Sequence, residues 1–378
     1  MCGIVGYVGN AQAAPFLLDG MSKLEYRGYD SAGIAVYEKG KIRVEKCVGR
    51  LDALRHKLEG RMPEGSMGIG HTRWATHGRP SDRNSHPHTD ESGDFVVVHN
   101  GIIENYLMLK EKLIAKGQKF SSDTDTEIVA HLFADFYEGD MEEAVKKVLK
   151  TIEGSYSLVF MCAAEPDKLI CTKKDNPLII GLGEGENFIA SDMPALLKYT
   201  RSFILLADDE IACVSKDKVV VYNKNAEAEE KQPFFVDWDP ETAEKGGYPH
   251  FMLKEIHEQP KAVRDTVMPR IKENEIVLDD VVLTEEYVKN IKKINIVGCG
   301  SAYHAGIIGK YYIERVCRIP VETDLASEFR YRGPIADERV LTIIISQSGE
   351  TADTLAALRE AKRLKSKTLA IVNVVGSS

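Results

Sequence analysis

Chemistry in this chain starts at its second residue. Removal of Met1 would leave Cys2 as the N-terminus of Cys2-Gly3-Ile4-Val5-Gly6, so one residue would carry both a thiol and a free α-amine. A thiol is a good nucleophile only as the thiolate. An α-amine with a pKa of about 7.7–8.0 can take that proton near neutral pH. Pairing a nucleophile with an N-terminal amine as its base is a recognised route to activation. Taken alone, the segment fits a buried strand containing cysteine better, and the remaining residues reverse that.

Amide hydrolysis also needs donors for a tetrahedral oxyanion and groups that hold the substrate. Asn100-Gly101 offers a side-chain amide and a backbone N–H at the end of an apolar run, although such a pair is more often an ordinary turn. His71-Thr72-Arg73-Trp74-Ala75-Thr76-His77-Gly78 gathers a cation, an indole and two imidazoles. An arginine in such a polar cluster can grip a carboxylate with two parallel hydrogen bonds. Asp123-Thr124-Asp125-Thr126-Glu127 opens a helix, where Asp or Thr usually serves only as a cap. Its functional alternative is a carboxylate for a substrate ammonium group. Late in the chain, Ser346-Gln347-Ser348-Gly349-Glu350-Thr351 lies between a strand and a helix. Its hydroxyls and helix-start N–H groups suit phosphate better than a bare cap. Gly298-Cys299-Gly300-Ser301 resembles a dinucleotide fingerprint only superficially, because Tyr303 stands where the third glycine belongs.

The elements that must carry these residues fall into two sets. In the first, Gly3–Val8 is β-rich and residues 14–24 have helical spacing. Lys39-Gly40-Lys41 joins two strands as a hairpin. Phe95–His99 reads as a buried strand ending in a tight Asn100-Gly101 turn. Helices are expected over 127–137 and 142–152, the second stopped by Gly154. After an unpatterned stretch from Asp237, apolar strands end in Gly298-Cys299-Gly300-Ser301 and in Ser346–Thr351, which is doubly wound α/β logic. The expected organisation is a first domain over 2–236, a linker over 237–250 and a second domain over 251–378.

Composition narrows the function classes. A chain of 378 residues, 43% hydrophobic and 28% charged, reads as a soluble protein of two domains. A net charge of −9 without a long basic run argues against nucleic acid. No apolar stretch has membrane-span length and no signal peptide is recognisable. Seven scattered cysteines without a Cys-x-x-Cys pair argue for reduced thiols, a cytoplasmic setting and no structural metal.

Five segments in order carry a family resemblance: Cys2–Gly6, Leu24–Gly33, Thr72–Gly78, Val98–Asn105 and Thr124–Glu127. About the first 240 residues resemble the glutaminase domain of the N-terminal-nucleophile amidotransferases. Over the whole chain the resemblance is closer still to the glutamine–fructose-6-phosphate aminotransferase family. It implies a four-layer αββα sandwich, then a doubly wound sugar isomerase (SIS) domain, with L-glutamine and fructose 6-phosphate as substrates and no cofactor or metal. It implies that Cys2 attacks the glutamine amide, with the Asn100 side chain and the Gly101 N–H as oxyanion hole. Arg73 would hold the substrate carboxylate and Asp125 its α-amine, with Thr76 and His77 lining the pocket. Trp74 would gate an ammonia channel, and Arg27 and Tyr29 would sit in the covering loop. Ser301, Ser346, Gln347, Ser348 and Thr351 would bind the sugar phosphate, with Ala302 standing where the family often has serine.

The family continues well past Ser378 and forms homodimers at full length, so the expectation for this chain is glutaminase residues with only part of the sugar-phosphate site. Two alternatives stand beside it. One is another amidotransferase with the same front half, such as a phosphoribosyl-pyrophosphate enzyme, but that needs an acidic loop which is not found. The other is a non-catalytic sugar-phosphate sensor, which would need none of Cys2, Arg73, Asn100, Gly101 or Asp125.

Overall fold

The computed structural model describes residues 2–75, 77–236, 248–272, 275–278, 281 and 283–374. Most of the expected linker, 237–247, lies outside the described residues, as does Thr76. The chain divides into two compact units, residues 1–244 and 245–378.

The first unit holds two sheets. The eight-stranded sheet runs Phe234–Phe235, Ser202–Leu205, Ile179–Leu182, Asn187–Ala190, Gly3–Val8, Met67–Arg73, Ser31–Glu38, Lys41–Val48. The seven-stranded sheet runs Ala228–Glu229, Val219–Tyr222, Ile211–Ser215, Lys168–Lys174, Gly154–Cys162, Phe95–Ile103, His88–Thr89. Alternating side chains give each strand two faces, and both faces are used. Ile4, Val8 and Ile69 from one sheet meet Val96, Val98 and Val159 from the other between the layers. Val5, Tyr7 and Ile34 face the helix Ala13–Leu24 through Leu17 and Met21. Val97, Leu158 and Phe160 face Ile128 and Phe133 of Glu127–Phe136 and Val145 and Val148 of Met141–Leu149. Three apolar clusters between four layers make the αββα sandwich.

The structure departs from two local expectations. Asn100-Gly101 is not a turn: the strand runs on to Ile103, with Asn100 opposite Ser157 and Gly101 opposite Tyr156. The glycine is needed for a close approach instead. At φ +131°, a Cβ there would come within 2.0 Å of the Ser155 carbonyl oxygen. Gly154 likewise opens the strand Gly154–Cys162, and the preceding helix ends earlier, at Leu149.

In the second unit, Val321–Leu325, Lys293–Gly298, Val340–Ser346 and Lys367–Val372 form a parallel sheet in that order. Ile313 of the helix Ser301–Cys317 packs on one face with Ile294 and Ile296. Phe329, Ala357 and Ala361, from the helices Ala326–Tyr331 and Ala352–Arg363, pack on the other with Val297 and Ile344. Gly298 is level with Ile345 in the central strand pair. The Gly298–Ser301 and Ser346–Thr351 turns therefore leave side by side at the point where strand order reverses, the usual ligand crevice of an open α/β sheet.

Candidate functional site

Each sheet delivers part of one site. Cys2 precedes the central strand Gly3–Val8, and Gly3 pairs with Thr72, which brings Arg73 and Trp74 alongside. The Trp74 N–H donates to Cys2 Sγ at 3.2 Å, and the thiol donates to the Trp74 carbonyl at 3.5 Å. From the facing sheet, Asn100 Nδ2 donates to the Cys2 carbonyl oxygen at 3.1 Å. An amide nitrogen has two hydrogens, so the second is left for a substrate oxygen. Burial pushes the Cys2 thiol above its ordinary value, against smaller opposing contributions from the Trp74 backbone and nearby positive charge. At rest the sulfur is a thiol and needs a base.

The loop after helix Ala13–Leu24 folds over this corner. Arg27 is buried; its Nε donates to the Cys2 carbonyl at 3.1 Å and its guanidinium meets Asp192 at 3.0 Å. The Tyr26 hydroxyl donates to the same carboxylate. Gly28 lies so close to the next segment that a Cβ would meet the Arg73 carbonyl carbon at 2.6 Å and the Trp74 nitrogen at 2.9 Å. Tyr29 stands edge-on to the exposed Trp74 ring, centroids 5.2 Å apart. Asp30 accepts from the Ala75 N–H, which closes the loop on the far side.

Arg73 is 3% exposed. Its Nη2 donates to the carbonyls of Gly78, at 3.0 Å, and His77, while its Nη1 is buried without a partner among the described residues. An unpaired buried guanidinium nitrogen is costly, and an incoming carboxylate would satisfy it. Asp125 is also buried; its Oδ2 accepts the Ile103 N–H at 2.8 Å, and among the described residues its Oδ1 has only a long 3.4 Å contact from the Thr126 hydroxyl. His77 lies edge-on to Tyr106 at 5.5 Å, with Nδ1 buried and unpaired among the described residues.

Sequence reasoning gave no role to the residues behind this corner. His71, His86, His88 and His99 are buried together, with the His71 and His86 rings stacked at 4.2 Å. Burial holds all four below the ordinary histidine value, His71 down to about 3. The signal that could have found them is His86-Pro87-His88, three residues of mixed polarity just ahead of the apolar Phe95–Val98 run. Asp192, the anchor of Arg27 and Tyr26, is distant in sequence and has no local mark.

In the second unit, Ser346 Oγ accepts the Gly349 N–H at 3.0 Å and Ser348 Oγ accepts the Glu350 N–H at 3.1 Å. Both hydroxyl hydrogens remain available for an oxyanion. Thr351 sits at the N-cap of Ala352–Arg363 without making a side-chain cap bond, and Ser301 opens the helix Ser301–Cys317. The Gln347 carbonyl accepts the Asn373 N–H, tying the turn to the residue after the edge strand. Among the described residues, no group of His, Cys, Asp or Glu is arranged to hold a metal ion, and no helix is long and apolar enough to cross a membrane.

Residues 71–198 match the glutamine amidotransferase domain family, and residues 287–378 match the SIS domain family. The glutamine–fructose-6-phosphate aminotransferase (isomerizing) of Caldanaerobacter subterraneus subsp. tengcongensis is 59% identical over all of this chain and 62% of its own length. That of Clostridium tetani is 56% identical over the same shares. The chain thus spans about three-fifths of the length of these relatives. A solved glutamine phosphoribosylpyrophosphate amidotransferase from B. subtilis shares the fold, with a TM-score of 0.55 at 19% identity over 98% of this chain and 81% of that one. The chain thus joins a match to the glutamine amidotransferase domain family to a match to the SIS domain family, and is similar over its whole length to glutamine–fructose-6-phosphate aminotransferases.

Proposed function

We propose that this chain hydrolyses glutamine at Cys2 and supplies the ammonia that converts fructose 6-phosphate to glucosamine 6-phosphate. The observation that carries the reading is the convergence on one corner of the Cys2 thiol, the Asn100 amide donor and the bare Nη1 of buried Arg73.

The steps follow from those atoms. With Met1 removed, the Cys2 α-amine takes the thiol proton, and the thiolate attacks the side-chain amide carbon of glutamine. The oxygen of the tetrahedral adduct receives the free N–H of Asn100 and the N–H of Gly101. The protonated amine returns its proton to the leaving nitrogen, and ammonia departs from a thioester. Water, deprotonated by the same amine, attacks the thioester and releases glutamate and the thiol. Arg73 holds the substrate carboxylate and Asp125 its ammonium group, with His77 at the pocket wall. Arg27 holds the Cys2 carbonyl in place. Trp74, exposed and braced by Tyr29, gates the exit of ammonia.

The sugar phosphate is assigned to Ser301, Ser346, Gln347, Ser348 and Thr351, where hydroxyls and helix-start N–H groups converge at the strand reversal. The acid–base groups for ring opening and isomerisation are assigned to sequence beyond the span shared with the relatives. The groups assigned to ammonia production all lie within residues 2–125. Its seven free cysteines accord with a reducing, cytoplasmic setting.

The test is to incubate purified chain and its Cys2→Ala variant with glutamine and fructose 6-phosphate, then quantify glutamate and glucosamine 6-phosphate separately. Glutamate from the wild type and not from Cys2→Ala is expected. Glutamate from Cys2→Ala at the wild-type rate would remove the nucleophile.

A further inference from the structure

An oxyanion hole built on an asparagine has an inherent weakness. The amide oxygen and nitrogen are nearly the same size, and half a turn about the last side-chain bond replaces the donor by an acceptor. Something must select the productive face. We propose that His71 is the positioning residue that does so, by donating from Nε2 to Asn100 Oδ1 and thereby turning the Asn100 N–H groups toward Cys2; this rests on the glutaminase reading above.

The argument begins away from Asn100. His71 Nε2 lies 3.0 Å from the main-chain carbonyl oxygen of His99. A carbonyl oxygen can only accept, so Nε2 carries the hydrogen, and this tautomer is required whichever way Asn100 points. The same Nε2 lies 3.0 Å from the Asn100 side chain. With a donor on the histidine, the amide atom facing it must be oxygen, because nitrogen would set two donors against each other. The amide nitrogen then faces the other way and meets the Cys2 carbonyl at 3.1 Å. Two contacts hold the amide plane, and one N–H is left for the developing oxyanion.

The rest of the molecule keeps His71 in this role. Its ring is fully buried on the central strand Met67–Arg73, with Ile4 and Gly33 opposite it in the neighbouring strands. His86 stacks on one face with an interplanar angle of 18°. Nδ1 is buried and has no partner among the described residues, so no competing acceptor draws the proton to that side.

The experiment uses two substitutions of similar bulk. His71→Gln can place an amide N–H near the position of Nε2, whereas His71→Asn can reach only the position of Nδ1. Glutamine hydrolysis is measured for both, alone and combined with Asn100→Ala. The loss of one orienting hydrogen bond corresponds to roughly 3–10-fold in kcat. His71→Asn should show that loss with KM little changed, and His71→Gln should recover most of it. In the Asn100→Ala background, His71→Asn should cost nothing further, because there is no amide left to orient. Equal loss in both single variants, full additivity with Asn100→Ala, or unfolding of both would make the role structural and overturn the proposal. A second readout needs no turnover. With ¹⁵N-labelled histidine, the His71 resonance (identified by its absence in His71→Gln) should report the Nε2–H tautomer unchanged from pH 5 to 8. The Nδ1–H tautomer would overturn the proposal even in a chain without glutaminase activity, whereas an inactive wild type with the Nε2–H tautomer would count against the glutaminase reading alone.

Discussion

Gly101→Ala separates the geometry of the oxyanion hole from its chemistry, because it adds a methyl group and removes no donor. At φ +131° the backbone is in a region that L side chains rarely adopt, and the new Cβ would lie 2.0 Å from the Ser155 carbonyl oxygen. An unstrained contact is about 3.5 Å, so the two strands must part locally by more than an ångström. The conformational strain costs about 1–3 kcal/mol and the overpacking about 1–3 kcal/mol more. Against a typical total of about 5–15 kcal/mol, the unit should stay folded and lose at least about 4 °C in Tm. Catalytically, a displacement near 1 Å costs roughly 10²-fold, and here it moves both proposed oxyanion donors. We therefore expect kcat for glutamine to fall about 10²–10³-fold with KM within a fewfold. Iodoacetamide should still alkylate Cys2 at close to the wild-type rate, since the thiol's partner Trp74 is on the other sheet. Wild-type kcat with a lowered Tm would refute the placement of the oxyanion at Gly101. Loss of alkylation in step with kcat would mean that the substitution disturbs the nucleophile and not the hole.

Arg73→Ala should raise KM for glutamine by one to two orders of magnitude, an ion pair and its hydrogen bonds being worth about 1.5–3 kcal/mol; a change confined to kcat would argue that Arg73 grips no substrate carboxylate. In chain that retains Met1, burial raises the Cys2 thiol pKa, so its alkylation rate should climb with pH to a midpoint above the ordinary value of about 8.5; a midpoint at or below 7 would mean an activated thiolate without the terminal amine. Glu127 is buried and accepts from the N–H and hydroxyl groups of both Ser121 and Ser122, with His131 near its carboxylate, and these partners hold its pKa below the usual carboxylate range despite its burial. Its contribution to stability is therefore complete above the unfolded value of about 4.3 and is lost as pH falls below it. Glu127→Gln should lower Tm at pH 7 and flatten the acid limb of a Tm–pH curve, and an unchanged acid limb would contradict this.

The residues of the chemistry were more legible than the geometry that joins them. Cys2, Arg73, Asn100 and Asp125 are types an amide hydrolase needs, and each lies near the end of a recognisable apolar run. What failed was punctuation. Asn100-Gly101 carries a turn signature, yet its glycine serves the close passage of Ser155 within a continuous strand. Gly154 looks like a helix stop, yet it opens the strand opposite Ile103. A glycine marks a place where a side chain is forbidden, and local sequence does not say whether the cause is its own backbone or a neighbour's. The buried histidines were illegible for a related reason. Periodicity treats an imidazole as surface or ligand, whereas here four of them form a polar layer sealed by contacts across two sheets. Asp192 meets Arg27 over 165 positions, and no local pattern encodes that pairing.

The strand that follows Cys2 sits in the middle of its sheet, between Met67–Arg73 and Asn187–Ala190. Gly3–Val8 therefore cannot be enclosed until its last neighbouring strand exists, at residue 190. At about 5–20 residues per second, the N-terminus stays accessible for roughly 10–40 s after it is made. The proposed mechanism needs an aminopeptidase to remove Met1, and this interval is when the enzyme has an extended substrate. Once Ala190 pairs with Val5, the Cys2 thiol lies beside Trp74 and the Cys2 carbonyl is held by Arg27. Maturation of the nucleophile is thus a race between trimming and sheet closure. Slow synonymous codons between positions 70 and 190 should favour the trimmed form, and faster translation should leave a larger fraction of chains folded but unprocessed.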